Sequence, residues 1–400
     1  MSALLVIIYI SFISLGLPDA ILGSAWPELH LDLGISVGYA GIISMIVSAG
    51  TVVSSLMSER FIIKFGTGKV TVLSVLFTAC ALAGFTVSSN FILMCFFAIP
   101  LGLGAGSVDT ALNNFVAIHY KSRHMNWLHA FWGIGATAGP LLMSLFILQN
   151  NGWRVGYGII ALFQIILVIV LFLTLPLWNR TKNSSDTLNS TEETSFEVNN
   201  DIQDKKNRIG QLLALPGAKP ALVAFFCYCT VELIAGMWGA TYLVNVKKIT
   251  AEVAARWVGL YYLGITVGRI LSGFLAIKMN NNQLIRFGQI VSIVGVIFLF
   301  IPGAVLFQLV GFILLGLGNA PVFPAMLHET PVRFGKGLSQ GVMGIQMATA
   351  YIGNTLMPPL FGLVASKTSF IIMPIVLLGF LIIEYVSTVL VNSQIRRTRG

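Results

Sequence analysis

Two acids, each followed by a glycine at the same spacing, stand within apolar stretches of this chain. The first pattern is Asp19-x-x-x-Gly23, and the second, at an offset of 213 residues, is Glu232-x-x-x-Gly236. A charged side chain at membrane depth costs about 2.5–3.5 kcal/mol on insertion scales, so such acids usually serve a function. Their repetition predicts a duplicated transport machine with ionisable groups near its pathway.

Asp19 directly follows Pro18, and this order of residues favours proton chemistry. Proline has no amide hydrogen, so the Ser14 carbonyl loses its helical donor and we expect the helix to bend there. Irregular backbone at membrane depth is tolerated where it lines a cavity or is buried by protein. A carboxyl group that is removed from water and lacks a cationic partner favours its neutral form, so Asp19 can load and release a proton. The alternative is a structural acid that bonds to neighbouring helices.

Polar and aromatic residues of the first half are suited to a solute rich in hydroxyl groups. Asp109 stands one turn before Asn113, which puts both on one helix face. His129 and Trp132 are also one turn apart. A sugar needs paired donors and acceptors together with an aromatic face for its C–H surface. We therefore predict that Asn113, His129 and Trp132 bind substrate, while a hydrogen bond from His129 to a nearby carbonyl is an equal alternative.

The second half contains a comparable set of polar and aromatic residues. Tyr228 and Glu232 are one turn apart, and Gln346 and Asn354 are eight residues apart on roughly one stripe. The predicted substrate-binding residues of this half are Tyr228, Glu232, Trp238, Asn319, Gln346 and Asn354.

Two further charged residues fall in apolar segments. An unpaired Arg269 would be costly in lipid, so we expect it to pair with an acid. Glu232 is one candidate partner of Arg269. Glu384 is interpreted as a peripheral pair or as an acid that snorkels to the membrane surface.

Membrane-spanning helices must position these residues. The 400 residues are 56% hydrophobic and 10% charged, whereas a soluble domain has about 25% charged residues. Apolar stretches that can cross about 30 Å of hydrocarbon recur along the chain, and each must satisfy its own backbone as a helix. We predict twelve spans, at residues 3–26, 37–57, 70–88, 91–117, 127–148, 154–178, 218–245, 254–277, 284–301, 303–327, 337–361 and 369–392.

The net charge of +9 follows the predicted topology and does not indicate nucleic-acid binding. Of the 24 Lys and Arg residues, eighteen fall in alternate loops or the tail, five fall in the other loops, and Arg269 lies within a span. Loops on the cytoplasmic side carry the excess of Lys and Arg. The sequence therefore predicts a multi-pass protein of the inner or plasma membrane, with both termini in the cytoplasm.

A polar stretch at residues 179–210 divides the predicted spans into six and six. It is rich in Asn, Ser, Thr and charge, and it cannot bury enough apolar surface to fold by itself. We predict an N-terminal six-helix bundle at 1–178, a cytoplasmic linker at 179–210, a C-terminal six-helix bundle at 211–393 and a basic cytoplasmic tail at 394–400.

Glycines repeat between the two halves at a similar offset. Gly102 and Gly104 match Gly316 and Gly318 at an offset of 214 residues, and Gly135-x-x-x-x-Pro140 matches Gly353-x-x-x-x-Pro358 at 218. Together with the acids, these pairs favour a parallel duplication, in which an axis along the membrane normal relates the halves and substrate binds between them. Most of the glycines are interpreted as sites of close helix packing.

The chain resembles the major facilitator superfamily over essentially its whole length. The twelve predicted spans, the central loop and the basic loop at residues 58–69, SERFIIKFGTGK, are similar to that family, although the loop departs from the usual Asp-Arg-x-Gly-Arg core. Gly268-Arg269-x-x-x-Gly273 is similar to the front of the same signature in the second half. The resemblance implies an all-α membrane protein of twelve helices in two pseudo-symmetric bundles, with gating or structural roles for Arg60, Gly268 and Arg269.

A narrower resemblance, to the fucose/glucose–proton symporter subfamily, rests on an acid in span one and a second in span four. The run at residues 113–140, NNFVAIHYKSRHMNWLHAFWGIGATAGP, is also similar to this branch. The resemblance implies that Asp19 is the proton-coupling site and that Asp109 has a coupled or gating role.

These patterns predict secondary active transport of a small polar solute by proton symport with alternating access, with a monosaccharide as the leading candidate. Sodium coupling stays open, because a carboxylate with amide oxygens also suits that ion. The alternative is a proton-coupled efflux antiporter for drugs or metabolites, whose span-five signature Gly-Pro-x-x-Gly-Gly is half matched at Gly139-Pro140. A receptor that binds solute without flux is a third reading.

The sequence contains no pattern for a metal site, a cofactor or a catalytic nucleophile. We therefore predict no enzyme activity and no cofactor. The expected partners are a small solute, protons and the lipid bilayer, and the protein is expected to be a monomer.

Overall fold

The computed structural model describes residues 3–120, 122–149, 152–178, 210–302 and 305–399. Within these ranges the regular structure is helical, and no strand is present. The predicted linker at 179–210 lies outside the described residues except for its last position.

The described helices follow the predicted spans closely. In the first half they are α1 (Ala3–Asp19), α2 (Ile21–Asp32), α3 (Ala40–Phe65), α4 (Thr67–Val87), α5 (Phe91–His119), α6 (Ser122–Phe146) and α7 (Gly152–Leu173). In the second half they are α8 (Ala218–Asn245), α9 (Ala251–Leu275), α10 (Asn281–Phe300), α11 (Val305–Asn319), α12 (Val322–Phe334), α13 (Lys336–Lys367) and α14 (Met373–Arg399). Short 3-10 helices occur at Val37–Tyr39 and Phe370–Ile372.

Ten helical stretches of the described chain are long and apolar enough to cross a membrane. Two of them combine consecutive helices, α1 with α2 over Ala3–Asp32 and α11 with α12 over Val305–Phe334. The other two predicted spans, five and eleven, are the helices α6 and α13, which are long enough but less apolar. Both contain internal proline and several glycines, and a helix needs less apolar surface where protein covers part of it.

The first span is broken immediately after the acid that the sequence singles out. Helix α1 ends at Asp19, α2 begins at Ile21, and the single turn residue between them, Ala20, keeps right-handed φ and ψ angles of −105° and −6°. The Ser14 carbonyl, which the sequence predicts to lose its helical donor at Pro18, accepts a hydrogen bond from a side chain. The donor is Nε2 of Gln164 on α7, at 2.9 Å. A buried glutamine thus supplies the hydrogen that proline lacks.

The repeated glycines occupy equivalent packing positions in the two halves. In each half, one helix approaches two neighbours so closely that a Cβ atom at either glycine would overlap the neighbouring helix. The contacts are Gly102 with Val47 of α3, Gly104 with Ser74 of α4, Gly316 with Tyr261 of α9 and Gly318 with Ser292 of α10. Span four therefore meets spans two and three as span ten meets spans eight and nine, and the sequence repeat is a repeat of helix packing.

The described residues divide into two units. The first contains residues 3–178 together with Ala251–Gly259, and the second contains residues 210–250 and 260–399. The beginning of α9 thus groups with the first unit, although it follows the predicted linker in sequence.

Each unit has its own buried cluster of apolar side chains. In the first unit the cluster joins α1, α5 and α7 through side chains such as Ile8, Leu112 and Leu171. In the second unit it joins α8, α10 and α12, with Phe225 and Ile285 among its members. These clusters fix the helices that present the polar residues described next.

Candidate functional site

The first unit holds Asp19 at the end of α1, next to helix α6. The indole Nε1 of Trp132 donates a hydrogen bond to Oδ2 of Asp19 at 2.7 Å. The two helices can approach because Gly16, Gly135 and Gly139 lie at their crossing, where a Cβ atom would overlap backbone atoms of the facing helix. The glycines at this crossing therefore allow the close approach of α1 and α6 that brings Trp132 to Asp19.

Asp109 on α5 forms the second half of an acid pair with Asp19. Its Oδ1 accepts a hydrogen bond from Nδ2 of Asn113 at 2.9 Å, one turn along the helix. Asp109 is close enough to Asp19 for their charges to interact. The four ion pairs of the described residues involve other acids, so neither member of this pair has a cation at bonding distance there.

Asn113 brings an unused acceptor to this region. Its Oδ1 atom is buried and has no hydrogen-bond partner among the described residues. An unsatisfied buried amide oxygen costs about 1–3 kcal/mol, which binding of a donor would recover. The atom is thus suited to accept a hydrogen bond from a hydroxyl group.

The predicted residue His129 lies among aromatic side chains of α1 and α6. Its ring meets Phe12 edge-on with 6.0 Å between ring centroids, and the side chain is exposed. Tyr9 stacks on Phe131 at 4.7 Å, and its hydroxyl is hydrogen-bonded to Nδ1 of His124 at 2.9 Å. Exposed His129 and stacked aromatic rings offer both polar and apolar contacts to a solute.

In the second unit, Glu232 lies next to a cation. The distance from Nη2 of Arg269 to Oε1 of Glu232 is 4.0 Å, with side-chain exposures of 26% and 13%. Tyr228, one turn before Glu232, is buried and within electrostatic range of both charges. The Tyr261 hydroxyl donates to the backbone carbonyl of Glu232 at 3.1 Å. Glu232, the candidate partner of Arg269 in the sequence, therefore lies beside it in the structure.

The other predicted residues of this half lie in separate contacts. Trp238 is fully buried, and its Nε1 donates to the Pro358 carbonyl at 2.9 Å. Oδ1 of Asn319 accepts from the Ser292 hydroxyl at 2.9 Å, and Oε1 of Gln346 accepts from the Thr330 hydroxyl at 3.0 Å. Oδ1 of Asn354 is buried without a hydrogen-bond partner in the described chain. The structure therefore brings Tyr228, Glu232 and Arg269 together. Asn319 joins this group through a hydrogen bond with Tyr261, whereas Trp238 and Gln346 bond to other parts of the unit.

The residues assigned to gating are placed at helix surfaces and crossings. Arg60 is exposed near the end of α3. Gly268 lies against Leu317 and Ala320, where a Cβ atom would be too close to both. The close approach of α9 to the following helices thus requires a glycine at this position.

Sequence reasoning missed two buried polar side chains. Gln164 was not singled out, although a glutamine in an otherwise apolar span is itself a signal of a buried partner. The interpretation of Glu384 as a peripheral acid is wrong, since this residue is only 1% exposed. Its Oε1 accepts from Gln289 Nε2 at 2.9 Å, and the Thr388 hydroxyl donates to Oε1 of Gln289 at 3.1 Å. Ser387 and Thr388, about one turn after Glu384 on the same face of α14, are buried as well, and this polar stripe is the sequence signal for a buried face.

Among the described residues, no group of three or more His, Cys, Asp and Glu side chains is arranged to hold a metal ion. Asp19 and Asp109 are instead hydrogen-bonded to an indole and an amide, and Glu232 lies beside a guanidinium and a phenol. These groups are suited to hydrogen bonding.

The chain is similar to a known protein family and to individual transporters and other proteins. A family model described as the Major Facilitator Superfamily matches residues 8–358. The glucose/mannose transporter GlcP of Bacillus subtilis is 24% identical over 400 residues, which cover 98% of this chain and 94% of GlcP. Bypass of stop codon protein 6 of Saccharomyces cerevisiae is 26% identical over 89% of this chain and 76% of its own length.

A crystal structure of a D-xylose–proton symporter has the same fold. The two structures superpose with a TM-score of 0.73 over 98% of this chain and 97% of the symporter, at 10% sequence identity. At that identity the likeness concerns the fold alone. The expected twelve-helix architecture is confirmed by this match.

Proposed function

The chain belongs to the major facilitator superfamily, and from this premise we propose that it carries a monosaccharide across the cell membrane by proton symport. The family and the fold make it a multi-pass membrane transporter. Sugar as the substrate class is supported by the similarity to the glucose/mannose transporter GlcP, which covers nearly all of both chains. Proton coupling is supported by the geometry of the first-unit acids.

The observation that carries the coupling proposal is the pair of acids without a cation. Asp19 and Asp109 interact electrostatically, and the groups that bond to them are the neutral Trp132 and Asn113. Two negative charges close together repel, and uptake of one proton removes that repulsion. Asp19 also stands at the junction of α1 and α2.

We assign proton binding to Asp19 and a coupled or gating role to Asp109. Protonation neutralises the Asp19 side chain, which lowers the cost of moving it through a low-dielectric region during reorientation. It also weakens the charge-assisted hydrogen bond from Trp132. Proton uptake would therefore loosen the contact between α1 and α6 at the moment when the carrier changes state.

For the substrate, unsatisfied acceptors and exposed rings are the strongest candidates. The free amide oxygens of Asn113 and Asn354 are suited to sugar hydroxyls. His129, Trp132 and Tyr228 add aromatic surface. The proposed substrate-binding residues also include Glu232, Asn319 and Gln346. For Trp238 we propose a structural role in the site, because its indole is buried and bonds to the Pro358 carbonyl.

The transport cycle we propose is alternating access between an N-terminal bundle and a C-terminal bundle joined by the polar linker. Arg60, Gly268 and Arg269 serve gating or structural roles in this scheme. The protein acts as a monomer in the plasma or inner membrane with both termini in the cytoplasm. The excess of Lys and Arg on alternate loops supports that orientation.

The decisive experiment is sugar uptake in proteoliposomes with an imposed proton gradient, comparing the wild type with Asp19→Asn. We expect the variant to lose gradient-driven accumulation of glucose, mannose or xylose and to retain exchange of sugar across the membrane. Glu28→Gln is the matched control, because it makes the same chemical change on the adjacent helix α2. Full accumulation by Asp19→Asn would refute the assignment. Absence of sugar flux in the wild type, together with proton-driven drug export, would favour the antiporter.

A further inference from the structure

A polar cavity lies at one end of the second unit, away from Glu232 and Arg269. It is formed where α10 begins and where α12 and α14 end, and its volume is about 330 Å³. A water molecule takes about 30 Å³ of liquid volume, so the cavity has room for a phosphate group and the polar part attached to it. Its wall contains three cations, Arg286, Arg333 and Arg396, and one acid, Glu329.

Arg333 is built into the wall rather than lying on the surface. Its side chain is 7% exposed, and Nη2 donates to Oδ1 of Asn282 at 2.7 Å and to Oδ1 of Asn392 at 3.2 Å. The Nε atom is buried and makes no hydrogen bond within the described chain, with Oε2 of Glu329 at 3.8 Å. A buried N–H without an acceptor is unfavourable, so the guanidinium of Arg333 would be stabilised by a ligand that supplies an acceptor.

Glu329 does not neutralise the cavity. Its Oε1 accepts a hydrogen bond from Nδ2 of Asn281 at 3.1 Å, so the acid is held by the start of α10 as well as by Arg333. One acid against three arginines leaves a formal surplus of two positive charges in the wall. This surplus favours an anion.

The two remaining arginines are available to a ligand. Arg286 and Arg396 are exposed, and neither makes an ion pair or hydrogen bond within the described ranges. The N-terminus of the 20-residue helix α10 adds its positive dipole end. The amides of Asn280 and Gln283 are already used in a capping box, so this end contributes its dipole and not these two N–H groups. Arginine forks and helix N-termini both match the oxygens of phosphate groups.

We propose that this cavity binds a phosphate group. The ligand is either the headgroup of an anionic lipid or a small phosphorylated solute, since both present the same oxygens. The three helices that form the cavity all reach the ends of their apolar segments here, which puts the cavity at the depth of lipid headgroups. The proposal concerns a site separate from the sugar pathway.

The test uses the full-length protein in phosphatidylcholine nanodiscs, with two probes. Inorganic phosphate is titrated in one arm and followed by thermal stability, and phosphatidic acid is incorporated in the other and followed by native mass spectrometry. Arg286→Gln and Arg396→Gln change exposed side chains that the fold does not need. Arg397→Gln is the matched control, because it removes the same charge from an exposed neighbour that is not part of the cavity wall.

We expect each cavity variant to weaken binding about tenfold, as for loss of a charge-assisted hydrogen bond, while Arg397→Gln leaves it unchanged. An effect in the phosphate arm identifies a soluble ligand, and an effect only in the phosphatidic acid arm identifies a lipid. If Arg397→Gln weakens binding as much as the cavity variants do, binding depends on general surface charge and the proposal is overturned. Binding that is absent from both arms, or unchanged in all variants, would overturn it as well.

Discussion

The two acids that repeat in sequence stand in different electrostatic surroundings. Asp19 ends a broken helix and accepts a hydrogen bond from Trp132, with a second acid in range. Glu232 lies within the continuous helix α8 and next to Arg269. Duplication thus reproduced the position of the acid, while the neighbours decide its chemistry. Glu232 has a cation as its neighbour, whereas the side chains that bond to Asp19 and Asp109 are neutral donors.

Arg269→Gln should have the largest effect on stability, because it removes the cation next to Glu232. Breaking a buried ion pair costs about 3–5 kcal/mol, and the partial exposure of both side chains places the expectation at about 3 kcal/mol. Thermal unfolding of the purified protein in detergent measures this loss. The double variant with Glu232→Gln should recover most of it, since no unpaired charge then remains.

The control for this prediction is Arg256→Gln in α9. Arg256 pairs with Glu252 at 2.7 Å, but the side chains are 48% and 38% exposed. Such a pair contributes about 0.5 kcal/mol. If Arg269→Gln is no more damaging than Arg256→Gln, the second-unit pair does not stabilise the fold, and the contrast between the two acids weakens.

Substitution of the matched glycines Gly135 and Gly353 should have the next largest effect on stability. A Cβ atom at Gly135 would overlap the backbone oxygen of Ile13, whereas one at Gly353 would lie 3.0 Å from that of Phe226. We expect Gly135→Ala to destabilise the protein by about 2 kcal/mol and Gly353→Ala by less than about 1 kcal/mol. Equal losses in thermal unfolding would mean that the two crossings are equally tight, contrary to the structure.

Sequence alone could predict the helices, the break near Pro18 and the glycine crossings, because each depends on local chemistry or on a repeated pattern. It could not predict the bond between Trp132 and Asp19, which depends on how α1 crosses α6. Nor could it find the bond from Gln289 to Glu384, which depends on how α10 packs against α14. The grouping of Ala251–Gly259 with the first unit is likewise a tertiary property.

Trp132→Phe should shift the pH dependence of sugar uptake without abolishing it. The indole N–H stabilises the charged form of Asp19, so its removal makes the proton bind more tightly and moves the midpoint to higher pH. We expect a shift of about one pH unit, which corresponds to about 1.4 kcal/mol. Trp127→Phe is the control, since Trp127 is 57% exposed. A shift to lower pH, or an equal shift in the control, would contradict the role of this hydrogen bond.

Gln164→Leu should have the smallest effect on stability. It tests whether the surroundings of Asp19 differ from those of Glu232 because of the contact at Pro18. Gln164 donates to the Ser14 carbonyl that Pro18 leaves without a donor, so the variant orphans a buried acceptor. The loss should be about 1 kcal/mol, at the lower end for such groups, because the variant also removes the buried and unpartnered Oε1 of Gln164.

The residue 213 positions later, at the offset of the two acids, is the buried Leu377 of α14. We therefore expect Leu377→Gln to destabilise the protein, whereas Gln164→Leu should affect gradient-driven uptake more than thermal stability. If Gln164→Leu leaves uptake unchanged, the broken helix at Asp19 does not depend on this glutamine, and the two halves differ only in the partners of their acids.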